Sequence, residues 1–100
     1  MNQQAMIRKL RQLQKEMEET QEQINNTLFT ESAGGVVSVT FNGKKELLKV
    51  KISDDFEIES KEDIEMLEEM IVAASKTAQT KIDQVTEEKM AKYSAMTNMF

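Results

Sequence analysis

The chain has 100 residues, with 13 Lys+Arg against 18 Asp+Glu and a formal net charge of -5 at pH 7. This length fits a single domain, and 39% hydrophobic with 5% aromatic content predicts a thin core. Cys and His are both missing, which excludes disulfides and removes the commonest general base and zinc ligand. With no membrane-length apolar run and no secretory h-region, we expect a cytoplasmic protein without membrane, metal or cofactor.

The first segment, about residues 3–26, predicts a long helix. Its apolar residues recur at heptad spacing, it contains no Gly or Pro, and its length corresponds to roughly 36 Å. An amphipathic core helix and a dimer-forming coiled-coil helix both fit, because the repeat covers only about three heptads. The apolar positions of this repeat are Met6, Leu10, Leu13, Met17 and Ile24.

The middle of the chain predicts a three-stranded antiparallel meander. The strands are expected at about residues 27–33, 36–42 and 46–52. Two turn signals separate them: Gly34-Gly35, where positive φ carries no strain, and Asn42-Gly43, a strong hairpin pair.

Alternation along the second and third strands predicts one apolar face and one polar face. A sheet this small cannot bury both its faces in a chain of this length, so we expect a homodimer to supply the missing core. Lysines on the polar face are typical of solvated surfaces and protected sheet edges. The predicted apolar face holds Val37, Val39, Phe41, Leu48, Val50 and Ile52, and the opposite face of the third strand holds Leu47, Lys49 and Lys51.

A second long helix is predicted over about residues 61–93, with Ser60 as its N-cap. At about 45 Å it exceeds the roughly 35 Å diameter of a compact globule, so it must break, project or be covered by a second subunit. We expect residues 94–100 to be frayed and Tyr93 to be exposed without a partner. The elements together predict an α+β fold. The core residues predicted on this helix are Leu67, Ile71 and Ala74.

The order of these elements resembles the YbaB/EbfC family of nucleoid-associated proteins. The ordered set, which covers nearly the whole chain, carries the resemblance rather than any single motif. It implies an intertwined homodimer with helices that project like tweezers, and DNA binding in bacterial nucleoids. The matching residues are Leu13–Met17 (LQKEM), Gly34–Gly43 (GGVVSVTFNG), Val50–Ile52, Glu65–Ala74 (EMLEEMIVAA), Lys81-Ile82 and Glu87–Met90.

Basic residues concentrate in the first half of the first helix, which carries a local charge of +4 before four glutamates follow. The ordinary interpretation is a solvated helix with i,i+4 ion pairs, and the functional one is a tip that contacts phosphates. The sequence shows no helix-turn-helix recognition pattern, so DNA binding should be weakly sequence-specific and steeply salt-dependent. The candidate DNA-binding residues are Arg8, Lys9, Arg11, Lys15, Lys89 and Lys92.

Two function classes stay open at this point. One is a nucleoid-associated homodimer that binds duplex DNA. The other is a dimeric scaffold that binds another protein through its coiled-coil seam or an apolar groove, without DNA. The net charge favours the scaffold, whereas the basic residues and the resemblance favour DNA binding. An enzyme is not predicted, since the acidic loop at 54–59 lacks metal-loop spacing and Gly34-Gly35 matches no nucleotide-binding motif.

Overall fold

The computed structural model of the chain describes residues 2–97. Its three strands form one antiparallel sheet in the order β1-β2-β3, between two helices. This arrangement confirms the predicted α+β fold with a long helix at each end of the meander. The elements are α1 (Gln3–Asn25), β1 (Leu28–Ala33), β2 (Val37–Asn42), β3 (Leu47–Ile52) and α2 (Lys61–Thr97).

The strands run along α2. At one end of the sheet, the turn between β1 and β2 meets α2, because a Cβ added to Gly34 would lie 2.7 Å from Met70 Cε. At the other end, Lys45 Nζ in the turn between β2 and β3 lies 2.7 Å from Asp83 Oδ1. The two contact points on α2 are 13 residues apart, about 20 Å, which matches the length of a six-residue strand.

The sheet and α1 pack on the same side of α2, one after the other along its length. The backbone N–H of Gly43 donates to the carbonyl of Asn25, with an N···O distance of 3.2 Å. Farther along, the hydroxyl oxygens of Thr20 and Tyr93 lie 3.0 Å apart. The molecule therefore measures 72 × 19 × 15 Å, with a radius of gyration of 20.0 Å. A compact chain of this length would have a radius of gyration of about 13 Å.

The core lies between α2 and the inner face of the sheet, by which we mean the face toward α2. Burial alternates along β2, as expected for a strand with one covered face. Two alanines of α2 face the sheet and allow the helix to approach closely. Fully burying each large aliphatic side chain stabilises the fold by about 1.5–3 kcal/mol. The buried cluster consists of Phe29, Val37, Val39, Phe41, Leu67, Ala74, Ala78 and Ile82.

α2 is one unbroken helix that extends to Thr97, so the predicted end at residue 93 and the predicted fraying of residues 94–97 were wrong. The predicted exposure of Tyr93 was also wrong, since its side chain is only 4% exposed and hydrogen-bonded to Thr20. The physical reason is that α1 packs along this part of α2 and supplies the partner surface. The remainder of the predicted frayed segment, residues 98–100, lies outside the described residues.

The two turns differ in how they use glycine. Gly34 and Gly35 have φ values of 60° and 68°, the positive values predicted for this turn. Gly43 does not adopt a positive φ, and Lys45 takes the left-handed conformation instead, with φ 65°. The turn at Gly43 is therefore longer than a two-residue hairpin.

Gly43 is needed because α1 comes so close. A Cβ at this position would overlap the carbonyl oxygen of Ile24, at the end of α1. The absence of a side chain thus permits the hydrogen bond that joins the turn to α1.

We predict that Gly43→Ala destabilises the protein by about 2 kcal/mol or more, because backbone must move to relieve the overlap. Urea denaturation at fixed protein concentration measures this loss. Gly35→Asn is the control, since nothing lies within 4 Å of a Cβ at Gly35 and Asn tolerates the left-handed conformation. Equal stabilities for Gly43→Ala and the wild type would show that α1 does not abut the turn as described.

Candidate nucleic-acid interface

The first part of α1 extends past the described end of α2. Leu13 and Met96 line the same cleft between the two helices, which has a volume of about 460 Å³. The ten residues of α1 before Leu13 therefore reach about 15 Å beyond this point. The protruding end begins with a side-chain cap, in which the Ala5 N–H donates to Asn2 Oδ1 at 2.7 Å.

Four basic side chains occupy this protruding end, and we call Arg8, Lys9, Arg11 and Lys15 the basic cluster. All four are exposed, and within residues 2–97 none of them has an acidic partner at ion-pair distance. At about 100° per residue, Arg8, Arg11 and Lys15 lie opposite the apolar seam that faces α2. Lys9 lies beside them, and both Arg8 and Lys9 line the cleft. The cluster is therefore available to pair with phosphate groups.

Lys89 and Lys92 are not brought into the basic cluster. The Lys92 ammonium lies 4.9 Å from the ring centroid of Tyr93, a cation–π contact. Tyr93 is hydrogen-bonded to Thr20, which lies about 18 Å along α1 from Arg8 and about 7.5 Å from Lys15, the last residue of the cluster. These two lysines thus flank the acidic second half of α1.

The predicted core and dimer residues are buried, half-buried or exposed according to their place in the fold. Those on the sheet and the sheet-facing side of α2 are covered, whereas those on the protruding end of α1 are not. The two residues at that end, Met6 and Leu10, are each 40% exposed. Leu13, Val37, Val39, Phe41, Leu67 and Ala74 are buried, and Met17 and Ile71 are half-buried.

Half of the 18 acidic residues lie in one segment at the other end of the molecule, whereas four glutamates follow the basic cluster on α1 itself. Residues 54–69, the acidic segment, contain nine Asp or Glu and one Lys, a net charge of -8. Because the whole chain carries -5, the remaining residues carry +3. Glu69 is 27 residues from Met96 along α2, about 40 Å. Among residues 2–97, no group of acidic side chains is arranged to hold a metal ion.

The inner face of β3 is apolar but uncovered. Val50 pairs with Val39, and Ile52 pairs with Val37, so both side chains lie on the face toward α2. α2 packs on β1 and β2 and leaves β3 open, so all six residues of β3 are exposed. Val50 and Ile52 are each 39% exposed.

A bulge corrects one part of the predicted alternation. Leu47 pairs with Phe41, whereas an uninterrupted register would have paired Leu48 with Phe41. The extra residue places Leu47 opposite a core-facing side chain, although the sequence predicted Leu47 on the polar face. The bulge therefore adds to the apolar side of β3.

The fold and this surface define an elongated α+β protein with a basic helical end. The YbaB/EbfC DNA-binding family model matches residues 1–97, and the chain belongs to this family. It is 38% identical over 94 residues to a nucleoid-associated protein of Lactococcus lactis subsp. cremoris, covering 93% of both chains. A nucleoid-associated protein of Clostridium acetobutylicum is 35% identical over 99 residues, covering 98% of this chain and 87% of the relative.

A solved structure shows a similar fold. An uncharacterized protein from Helicobacter pylori matches with a TM-score of 0.68 and 27% identity, over 88% of this chain and 91% of its own. The family is a DNA-binding family rather than an enzyme family, and its nucleoid-associated members imply a nucleoid location. No helix within residues 2–97 is both long and apolar enough to cross a membrane.

The hydrogen bond between Thr20 and Tyr93 helps to fix α1 on α2. We predict that Tyr93→Phe lowers the free energy of unfolding by about 1 kcal/mol, because it leaves a partly buried hydroxyl without this partner. Urea denaturation measures the loss, and Thr20→Ser, which keeps the hydroxyl, should lose clearly less. Unchanged stability of Tyr93→Phe would contradict a stabilising role for this contact.

Proposed function

We propose that this chain binds duplex DNA as a homodimer, mainly through phosphate contacts and with weak sequence specificity, in the cytoplasm at the nucleoid. The observation that carries this proposal is the basic cluster on the protruding end of α1, which has no acidic partner within residues 2–97. It lies remote from the acidic segment, so the net charge of -5 does not describe the surface that meets DNA.

The composition of the cluster supports phosphate contact rather than base reading. Arg and Lys pair with phosphate oxygens irrespective of sequence. Sequence readers place polar side chains of a recognition helix in the major groove, and α1 lacks that pattern of residues. The released counterions make such binding strongly salt-dependent.

A second copy of the chain is the proposed cover for the open face of β3. Its apolar side chains are exposed next to one another on one strand, and contiguous exposed apolar side chains mark interaction surfaces. Identical copies can cover each other's surface through a two-fold axis, which is the commonest oligomer symmetry. The dimer would present two basic clusters of +4 each to one duplex. The exposed residues of this surface are Leu47, Val50 and Ile52.

The double variant Arg8→Ala/Arg11→Ala should bind unrelated duplex sequences more weakly. It should also reduce the slope of log K against log salt by about 1.8 for each protomer in contact, since each phosphate contact contributes about 0.9. Gel-shift or anisotropy titrations over a range of salt concentrations measure both quantities.

Lys44→Ala/Lys61→Ala is the matched control, because it removes the same charge from exposed positions outside the cluster. If the cluster variant and the control retain DNA equally, the cluster is not the contact surface.

Val50→Asp should dissociate the dimer, because it buries a carboxylate in an apolar interface. Sedimentation equilibrium should then report the 11.5 kDa chain mass instead of twice that mass. Ser38→Asp adds the same charge on the opposite face of the sheet and should leave the dimer intact. Dimerisation of Val50→Asp at wild-type strength would place the interface elsewhere.

The second candidate function is a dimeric scaffold that binds a protein partner without DNA. It is favoured by the exposed Met6, Ile7 and Leu10 on the end of α1, which offer a helix partner an apolar surface. A wild-type dimer that shifts no duplex even at low salt would support this function and reject the first.

A further inference from the structure

The outer face of the sheet, which points away from α2, carries an ordered set of hydroxyl and lysine side chains. The strand register aligns them in two rows of three across the sheet. In one row, the hydroxyl oxygens of Thr30 and Thr40 lie 2.9 Å apart. The rows are Thr30–Thr40–Lys49 and Ser32–Ser38–Lys51, and we use "outer face" for these six residues.

None of the residues in these two rows is acidic, although the chain has 18 Asp+Glu. Glu31 in β1 pairs with Val39 and so belongs to the inner face. Asp54, just beyond β3, lies 3.1 Å from Lys51 Nζ and is the only acidic partner that the described residues supply to this face. Lysine ammonium and serine or threonine hydroxyl groups are among the side-chain groups that contact nucleic-acid phosphates.

The outer face and the basic cluster lie on the same side of the molecule. The inner face of the sheet and the apolar seam of α1 both contact α2. The outer face and the stripe of Arg11 and Lys15 are opposite those contacts, and so both point away from α2. Arg8 lies at the edge of this stripe, where it also lines the cleft between the helices. The contact between Gly43 and Asn25 joins the sheet and α1 end to end along this side.

The spacing of the two basic regions is close to one turn of duplex DNA. From Arg11 to Asn25 the distance along α1 is about 21 Å. From the turn at Gly43 to Lys49 the chain adds about 10–15 Å, which gives about 35 Å in total. A strand of B-DNA returns to the same side of the helix every 34–36 Å or so. Glu18, Glu19 and Glu22 on α1 separate the two regions.

We propose that the outer face of the sheet is a second surface that contacts duplex phosphates, one helical turn along the DNA from the basic cluster. This proposal rests on the proposed function. The dimer interface proposed above uses the opposite, inner face of β3, so the outer face stays open in the dimer. Lys49 and Lys51 contribute charge, and the hydroxyls contribute hydrogen-bond donors.

The test compares Lys49→Thr/Lys51→Thr with Lys61→Thr/Lys76→Thr, two exposed lysines of α2, on a 24-base-pair duplex of arbitrary sequence. Both variants lose two positive charges, but only the first loses them from the outer face. We expect the outer-face variant to bind about tenfold more weakly near 0.1 M salt and to reduce the salt slope by about 1.8 per protomer in contact. Equal weakening of both variants would overturn the proposal.

The same titration of the wild type and of Arg8→Ala/Arg11→Ala distinguishes a failure of this inference from a failure of the proposed function. If the wild type binds duplex and Arg8→Ala/Arg11→Ala is weakened, while the outer-face variant matches its control, only the inference fails. If the wild type does not bind duplex, the proposed function fails, and the inference fails with it.

A cross-linking measurement keeps the proposal testable should the double lysine variant fold poorly. The chain has no Cys, so Ser32→Cys provides one site for an azidophenacyl photo-cross-linker on the outer face. Ser60→Cys, within the acidic segment, is the control. We expect several-fold more cross-linked duplex from Ser32→Cys, and equal yields would overturn the proposal.

Discussion

The rest of the structure depends on the way one side of α2 supports both the sheet and α1. The sheet occupies the part of α2 from Leu67 to about Ile82, and α1 packs on the part that follows. Because the two are placed end to end, the molecule is 72 Å long and only 15 Å thick. Because the molecule is so thin, β3 has no helix covering its inner face, and the first part of α1 protrudes. The uncovered strand is the proposed dimer surface, and the protruding helix carries the basic cluster.

The same arrangement separates the charges. The acidic segment includes the first part of α2, at one end, and the basic cluster lies on α1, at the other. A net charge of -5 argues against DNA binding only if charge is spread evenly. Here a duplex at the basic cluster lies tens of ångströms from the acidic residues at the start of α2, several times the Debye length of about 8 Å at physiological salt. Glu18, Glu19 and Glu22 on α1 are closer, within about 10 Å of Lys15 along the helix.

Local signals made much of the fold predictable. The alternation of Val37, Val39 and Phe41 identified the central strand, since one face of β2 is fully covered. Gly34-Gly35 identified the first turn, because glycine alone adopts positive φ at both positions without strain. The charge pattern of α1 located the basic cluster, which needs no tertiary contact to form.

Features that depend on contacts between distant segments could not be read from the sequence. Tyr93 is buried only because α1 folds back along α2, so its local sequence gave no sign of a partner. Leu47 joins the apolar side through a bulge that appears only in the pairing with β2. Gly43 is required because the carbonyl of Ile24, 19 residues earlier in the chain, packs against it, and not because the turn needs a positive φ.

The central claim is that the end of α1, and not the acidic segment or the seam, meets DNA. Backbone amide spectra of the isotope-labelled wild type, recorded with increasing amounts of a short duplex, test it directly. The account predicts that chemical shifts change chiefly over residues 3–15 and on the sheet strands, with residues 57–69 unaffected; Asp54 is excepted because it is paired with Lys51. Changes concentrated in residues 57–69, or no changes at saturating duplex, would contradict it.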